Sequence, residues 1–190
     1  MLEVIYYVAS SLDGYIADSD GGVEWLSKFE VAGEDHGASR LQASADALLL
    51  GSHTYEFALK LGHWPSPEKP SWVFTRRTLP VLHPSIALTR QSPAEVVASL
   101  AAKGLRCAWL MGGGKLAASF QRDGLITRYV ISICPILIGS GVPLFAPQSA
   151  ATESLRLVSA RPFPSGIVQL TYEHALRRSK SKEHRRRERR

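Results

Sequence analysis

Leu110-Met111-Gly112-Gly113-Gly114-Lys115-Leu116 runs an apolar strand into three glycines and then into a helical pattern. The order restricts the chain to folds in which a strand passes into a helix N-terminus through a turn without side chains. Such a turn is a good place to hold a phosphate. Glycines lack the Cβ that would keep a diphosphate off the backbone, and the unpaired N–H groups of the next helical turn point at the anion with the positive end of the helix dipole. The feature points to a nucleotide rather than to a metal or a nucleophile. It lacks the G-x-G-x-x-G spacing, and it is not a G-x-x-x-x-G-K-[ST] loop, because Trp109 stands at the first glycine and Leu116 follows the lysine. Three glycines can equally make a tight turn with no ligand.

The rest of the chain alternates in the same way. Runs rich in Val, Ile, Leu and Tyr predict strands over 3–10, 46–50, 71–75, 85–89, 106–111, 126–134, 154–160 and 166–174. Helices fall between the earlier ones. Ser92-Pro93-Ala94-Glu95 combines a capping box with proline at the first helical position, and Gly104 ends that helix. Others are expected from Ser52 to Gly62, from His36 to Ala45, and after Gly114 with Leu116, Ala117 and Phe120 facing the core. After Ile126 three strands follow with no helix. The pattern predicts an α/β fold, a mostly parallel central sheet flanked by helices and finished by a C-terminal antiparallel hairpin. The apolar loop 137–145 is expected to pack on something, over a pocket or at an interface.

At 190 residues and 45% hydrophobic content the chain is read as one domain with a real core. The +6 net charge is unevenly placed. Arg177 to Arg190 hold nine basic and two acidic side chains, a net of +7, which leaves the first 176 residues at −1. We therefore divide the chain into a domain over 1–176 and a basic tail over 177–190, expected to be disordered, that offers either a solvated extension or phosphate-directed nucleic-acid contact. Cys107 and Cys134 lie in apolar runs and fit reduced core residues, with no metal site expected. With neither a leader pattern nor a long apolar run, the cytoplasm is the expected location.

Several segments together say more than any one. Ser10-Ser11-Leu12-Asp13-Gly14-Tyr15-Ile16-Ala17, Leu50-Gly51-Ser52-His53-Thr54-Tyr55-Glu56, Val73-Phe74-Thr75-Arg76, Met111-Gly112-Gly113-Gly114 and the run from Pro135 to Phe145 occur in that order. In order and spacing the chain resembles the dihydrofolate-reductase-like family, in the branch of the riboflavin-biosynthesis deaminase/reductase C-terminal reductase domain, over about residues 1–175. The resemblance implies an NADPH-dependent reductase with a small heterocyclic, pterin- or pyrimidine-like substrate, and a homodimer. It places Met111, Gly112, Gly113, Gly114, Lys115 and Leu116 at the cofactor diphosphate, with a cis bond at Gly112-Gly113. Gly51, Ser52, His53 and Thr54 match the second phosphate turn, with Thr54 as a hydroxyl donor, while Ala9 and Ile16 pack on the nicotinamide.

By the same resemblance Thr75, Arg76 and Arg77 fall at the adenosine ribose, where a guanidinium suits a 2′-phosphate. The alternative for the two arginines is a pair of solvated strand-end charges. Asp13, Trp25, Trp64, Ser132 and Leu137 are placed at the substrate end, although Trp25 also fits an ordinary core position and Asp13 fits a turn-shaping acceptor. Two departures stand out. Ser52 replaces the basic residue usual after the glycine of the second turn. By the same resemblance Asp35, placed on the helix after the first loop, is the candidate acid, with Glu34 and water as competitors and helix-dipole stabilisation as the bland role. No zinc-deaminase signature occurs. A module without catalysis that binds nucleic acid through the tail is the alternative function.

Overall fold

The protein is described here from a computed structural model covering residues 1–147 and 152–175. In chain order the elements are β1 (Glu3–Ser11), β2 (Tyr15–Ala17), a 3-10 helix (Glu24–Phe29), α1 (Ala38–Ser44), β3 (Ala47–Gly51), α2 (Ser52–Leu61), β4 (Ser71–Phe74), β5 (Ile86–Thr89), α3 (Pro93–Ala102), β6 (Cys107–Gly112), α4 (Gly114–Arg122), β7 (Arg128–Cys134), β8 (Val142–Pro143), β9 (Leu155–Pro162) and β10 (Val168–His174). Eight of the strands form one sheet in the order β5-β4-β3-β6-β1-β7-β10-β9. The six from β5 to β7 are parallel, and β10 and β9 close the sheet antiparallel. This is the mixed α/β, dihydrofolate-reductase-like architecture expected from the sequence.

The parallel half is buried on both faces, which is why Ala47-Leu48-Leu49-Leu50 reads as a continuous apolar run rather than an alternation. Leu49 joins Val4, Tyr6, Leu110 and Phe120 on the face covered by α3 and α4. Leu48 and Leu50 point the other way and pack with Tyr55, Ala58 and Val73 under α2. Phe120 is fully buried, and truncating it to alanine would cost about 3–5 kcal/mol. The helix at Ser92 forms as its cap predicts. Ser92 Oγ accepts the Glu95 N–H at 3.3 Å, and Glu95 Oε2 accepts the Ser92 N–H at 2.7 Å.

The first helix differs from expectation. It starts at Ala38 rather than His36, because His36 and Gly37 hold φ values of 53° and 87°, in the left-handed region, and the helix cannot pass through them. Asp35 therefore lies in the turn before the helix, not on it. The sequence also gave no signal for the 3-10 helix or for the small sheet in which β2 pairs antiparallel with β8. That pairing joins positions more than 120 residues apart, beyond any local pattern. The proposed tail, 177–190, lies outside the described residues.

Candidate functional site

A cleft of about 680 Å³ opens at the C-terminal ends of the parallel strands, the usual place for a ligand in an open α/β sheet. One side is the start of α2, with Gly51, Ser52, His53 and Thr54, and the facing side is the start of α4, with Gly113, Gly114, Lys115 and Leu116. The two turns nearly touch. A Cβ on Gly51 would meet the Gly113 nitrogen at 3.3 Å, and one on Gly113 would lie 3.7 Å from Thr54 Oγ1. A Cβ on Gly114 would collide with the carbonyl oxygen of Pro143. Close approach thus requires the glycine at 114 and leaves little room at Gly51, while Gly113 has space for a methyl. The Gly112–Gly113 bond is cis. Gly112 itself packs beside Tyr6 and does not line the cleft.

Neither α2 nor α4 has a side-chain cap. Their first N–H groups, orphans of helix geometry, face the space between them. By contrast α3, which does not border the cleft, is capped by its own Ser92 and Glu95. Lys115 adds a cationic side chain to this end, and His53 an imidazole. The other end is apolar, built by Val8 and Ala9 of β1, Ile16 and Ala17 of β2, Val23, Leu26 and Val142. Gly21, Phe57, Phe74, Met111 and Ser119 complete the lining. An anion fits the first end; a flat, uncharged ring fits the second.

The rim beside Phe74 carries the predicted ribose-end residues, which fall outside the lining. Thr75 Oγ1 accepts the Arg77 N–H at 3.0 Å and shapes the turn. Arg77 is tied at 2.8 Å to Glu56, whose carboxyl it holds below its ordinary range. Arg76 is exposed, and Arg90 Nη2 donates to its carbonyl at 3.4 Å. The structure therefore places Arg90, from the end of β5, at the same rim. No local pattern singles it out, since 14 residues separate the two arginines.

The residues assigned to the substrate do not gather in the cleft. Trp64 is a correction: it is buried under α2, its ring edge-on to Tyr55 at 6.0 Å. Trp25 is buried with Cys134 and Ile167, and only its neighbour Leu26 reaches the cleft. Ser132 is buried beside Ala9, its register partner, and its hydroxyl accepts from Gln169 at 3.0 Å. Leu137 is 70% exposed. Asp13 turns to the segment around Gly139, and its carboxyl is held below the ordinary range first by the Ser11 hydroxyl and then by the Gly139 N–H.

Asp35, the candidate acid, also lies away from the lining. It accepts N–H groups of Gly37 and Ser39 at 2.8 and 3.1 Å, which lowers its pKa and makes it the local cap of α1. Glu34 is nine-tenths buried, 3.7 Å from His36 Nε2. Burial pushes both cysteine thiols up to about 11, so neither is a ready nucleophile.

Set beside known proteins, residues 3–169 match the RibD C-terminal domain. The chain belongs to that family. It is 32% identical over 174 residues to YwjB, an uncharacterised Bacillus subtilis protein, covering 91% of this chain and 98% of the relative. It is 30% identical over 153 residues to the Mycobacterium tuberculosis riboflavin biosynthesis protein RibD, covering 73% of this chain and 44% of that one. A Shewanella protein provisionally assigned to riboflavin biosynthesis superimposes with a TM-score of 0.81 at 30% identity, over 92% of this chain and 99% of that one. A Thermotoga maritima deaminase/reductase shares the fold at a TM-score of 0.69 and 16% identity, over 92% and 57%.

Sequence reasoning missed Val8, Ala17, Gly21, Val23, Leu26, Phe57, Phe74, Ser119 and Val142 in the lining. All but Gly21 and Ser119 are apolar side chains with no chemical signature, and they come from β1, β2, the 3-10 helix and the segment before it, α2, β4 and β8.

Proposed function

We propose that this chain is an NADPH-dependent reductase that transfers hydride to an electron-poor C=N or C=O carbon of a small heterocyclic substrate. The observation that carries the reading is the pair of helix N-termini without side-chain caps, α2 and α4, opening onto one cleft through glycine turns that approach each other closely. The residues fit a dinucleotide. The N–H groups after Gly51 and Gly113, with the Thr54 hydroxyl, would take the diphosphate, and Lys115 would offset its charge. Arg76 and Arg90 at the rim favour a 2′-phosphate, while Arg77 is already engaged by Glu56.

A reduced nicotinamide at the apolar end supplies the hydride. There Ala9, Ile16, Ala17 and Leu26 orient the ring and exclude water from its face. No ionisable side chain lines that end among the described residues, so water delivers the proton. Fluorescence titration of the protein with NADPH and NADH tests the reading. Tight binding with an NADPH preference supports it, and the absence of binding by either overturns it.

The homodimer belongs to the same proposal. β9 is an edge strand whose Leu155, Leu157 and Val158 are 40%, 50% and 45% exposed, an apolar edge that a second copy would cover. Sedimentation velocity would show a monomer if this is wrong. Among the described residues no helix is long and apolar enough to cross a membrane.

A further inference from the structure

Asp13 lies in the turn after β1, yet its carboxylate reaches a segment 125 residues further on. Oδ2 accepts the Gly139 N–H at 2.7 Å and the Ile138 N–H at 3.1 Å. Oδ1 accepts the Ser11 hydroxyl at 2.6 Å, and Ser11 Oγ accepts the Tyr15 N–H at 2.9 Å, where β2 begins. Asp13 therefore holds the segment that leads to β8 directly and, through the Ser11 hydroxyl, the start of β2. Backbone bonds from Leu12 to Ile136 and from Leu144 to Gly14 run alongside, at 2.9 and 2.8 Å.

What these contacts assemble is the wall of the apolar end, Ile16, Ala17 and Val142. Its two anchors differ. Toward α4 the late segment is held by the buried Tyr6, whose hydroxyl donates to the Leu144 carbonyl at 2.9 Å, and by the Ala146 N–H donating to Gly114 at 3.1 Å. Toward Asp13 it is held at the surface, between Leu12 and Leu137 at 64% and 70% exposure. Hydrogen bonds at a surface compete with water and open first.

We infer that Asp13 is a positioning residue, a clasp between the turn after β1 and the 136–145 segment that sets the wall against the nicotinamide half of the cofactor and leaves the phosphate half untouched. The inference rests on the cofactor reading above. It gives Asp13 a part in binding without contact to substrate, and it explains why a carboxylate stands beside the cleft but does not line it.

Two measurements on the full chain test it. Amide hydrogen exchange at Ile138 and Gly139 should speed up at least tenfold in Asp13→Ala, with Asp13→Asn between, since asparagine keeps one acceptor oxygen. Titration should show NADPH bound about tenfold more weakly by Asp13→Ala, with adenosine 2′,5′-bisphosphate, which lacks the nicotinamide half, bound as by the parent. Unchanged exchange overturns the clasp. Faster exchange with unchanged NADPH affinity, or equal loss of both ligands, overturns the positioning role. A parent chain that binds neither ligand overturns the cofactor reading, and the exchange measurement still decides the clasp.

Discussion

The two ends of the cleft are built by opposite means. At the helix end the contacts offered to a ligand are backbone N–H groups, each supplied by a strand–glycine–helix unit within a few residues of sequence. At the β1 end they are apolar side chains from β1, β2, the 3-10 helix and β8, brought together by pairing across the chain. In the proposed reading, charge recognition is therefore local, whereas the ring-binding surface depends on a tertiary assembly with an exposed anchor.

Replacing the glycines breaks the helix end in two separable ways. Gly114→Ala should have the largest effect, because its Cβ has only the Pro143 backbone to move. A loss of about 3 kcal/mol is expected, lowering Tm by roughly 6–12 °C with NADPH binding abolished. Gly113→Ala sharpens the point. Its φ of −79° suits alanine and its Cβ meets only ordinary contacts at Thr54 and Ile16. A calorimetric melt should be within about 0.5 kcal/mol of the parent, while the added methyl, standing in the cleft, should weaken NADPH about tenfold.

Arg76→Ala should cost about tenfold in NADPH affinity and leave NADH unchanged. Arg77→Ala should do less, since Glu56 already holds that guanidinium. The reverse order in a titration would move the 2′-phosphate to Arg77. Asp35→Asn should leave turnover within about twofold, since its carboxylate serves the start of α1. A larger loss in kcat would restore it as the acid.

The smallest effect lies far from the cleft and serves as the control. Asp46 accepts the N–H groups of Arg106 and Cys107 at 2.7 and 2.9 Å, and these bonds hold its carboxyl below the ordinary 3.8. A group depressed in the folded state stabilises it above the unfolded value and loses that contribution as pH falls through the folded one. Asp46→Asn should therefore melt about 2 °C lower at pH 7. The gap should close as pH falls below 3.8, with cofactor affinity unchanged throughout.

Where local chemistry decides conformation, the sequence was legible. Ser92 and Glu95 cap their helix as written, the parallel run Leu48-Leu49-Leu50 is buried on both faces, and the three glycines sit at a strand–helix turn. Trp64 was not legible, because an aromatic side chain carries no label for the face it will occupy, and the core under α2 claims it. Asp35 was misplaced by one turn of chain, because the left-handed conformation of His36 is set by its surroundings and not by its residue type.

By itself, then, the sequence determined the α/β order, the antiparallel finish and the two glycine turns at which helices begin, because periodicity, caps and missing side chains act over a few residues. Only the tertiary structure decided that those turns face each other, that Arg90 joins Arg76 at the rim while Glu56 removes Arg77, and that Asp13 reaches Gly139. Those outcomes depend on sheet order and on the pairing of β2 with β8, and contacts between segments so far apart leave no periodic trace in the chain.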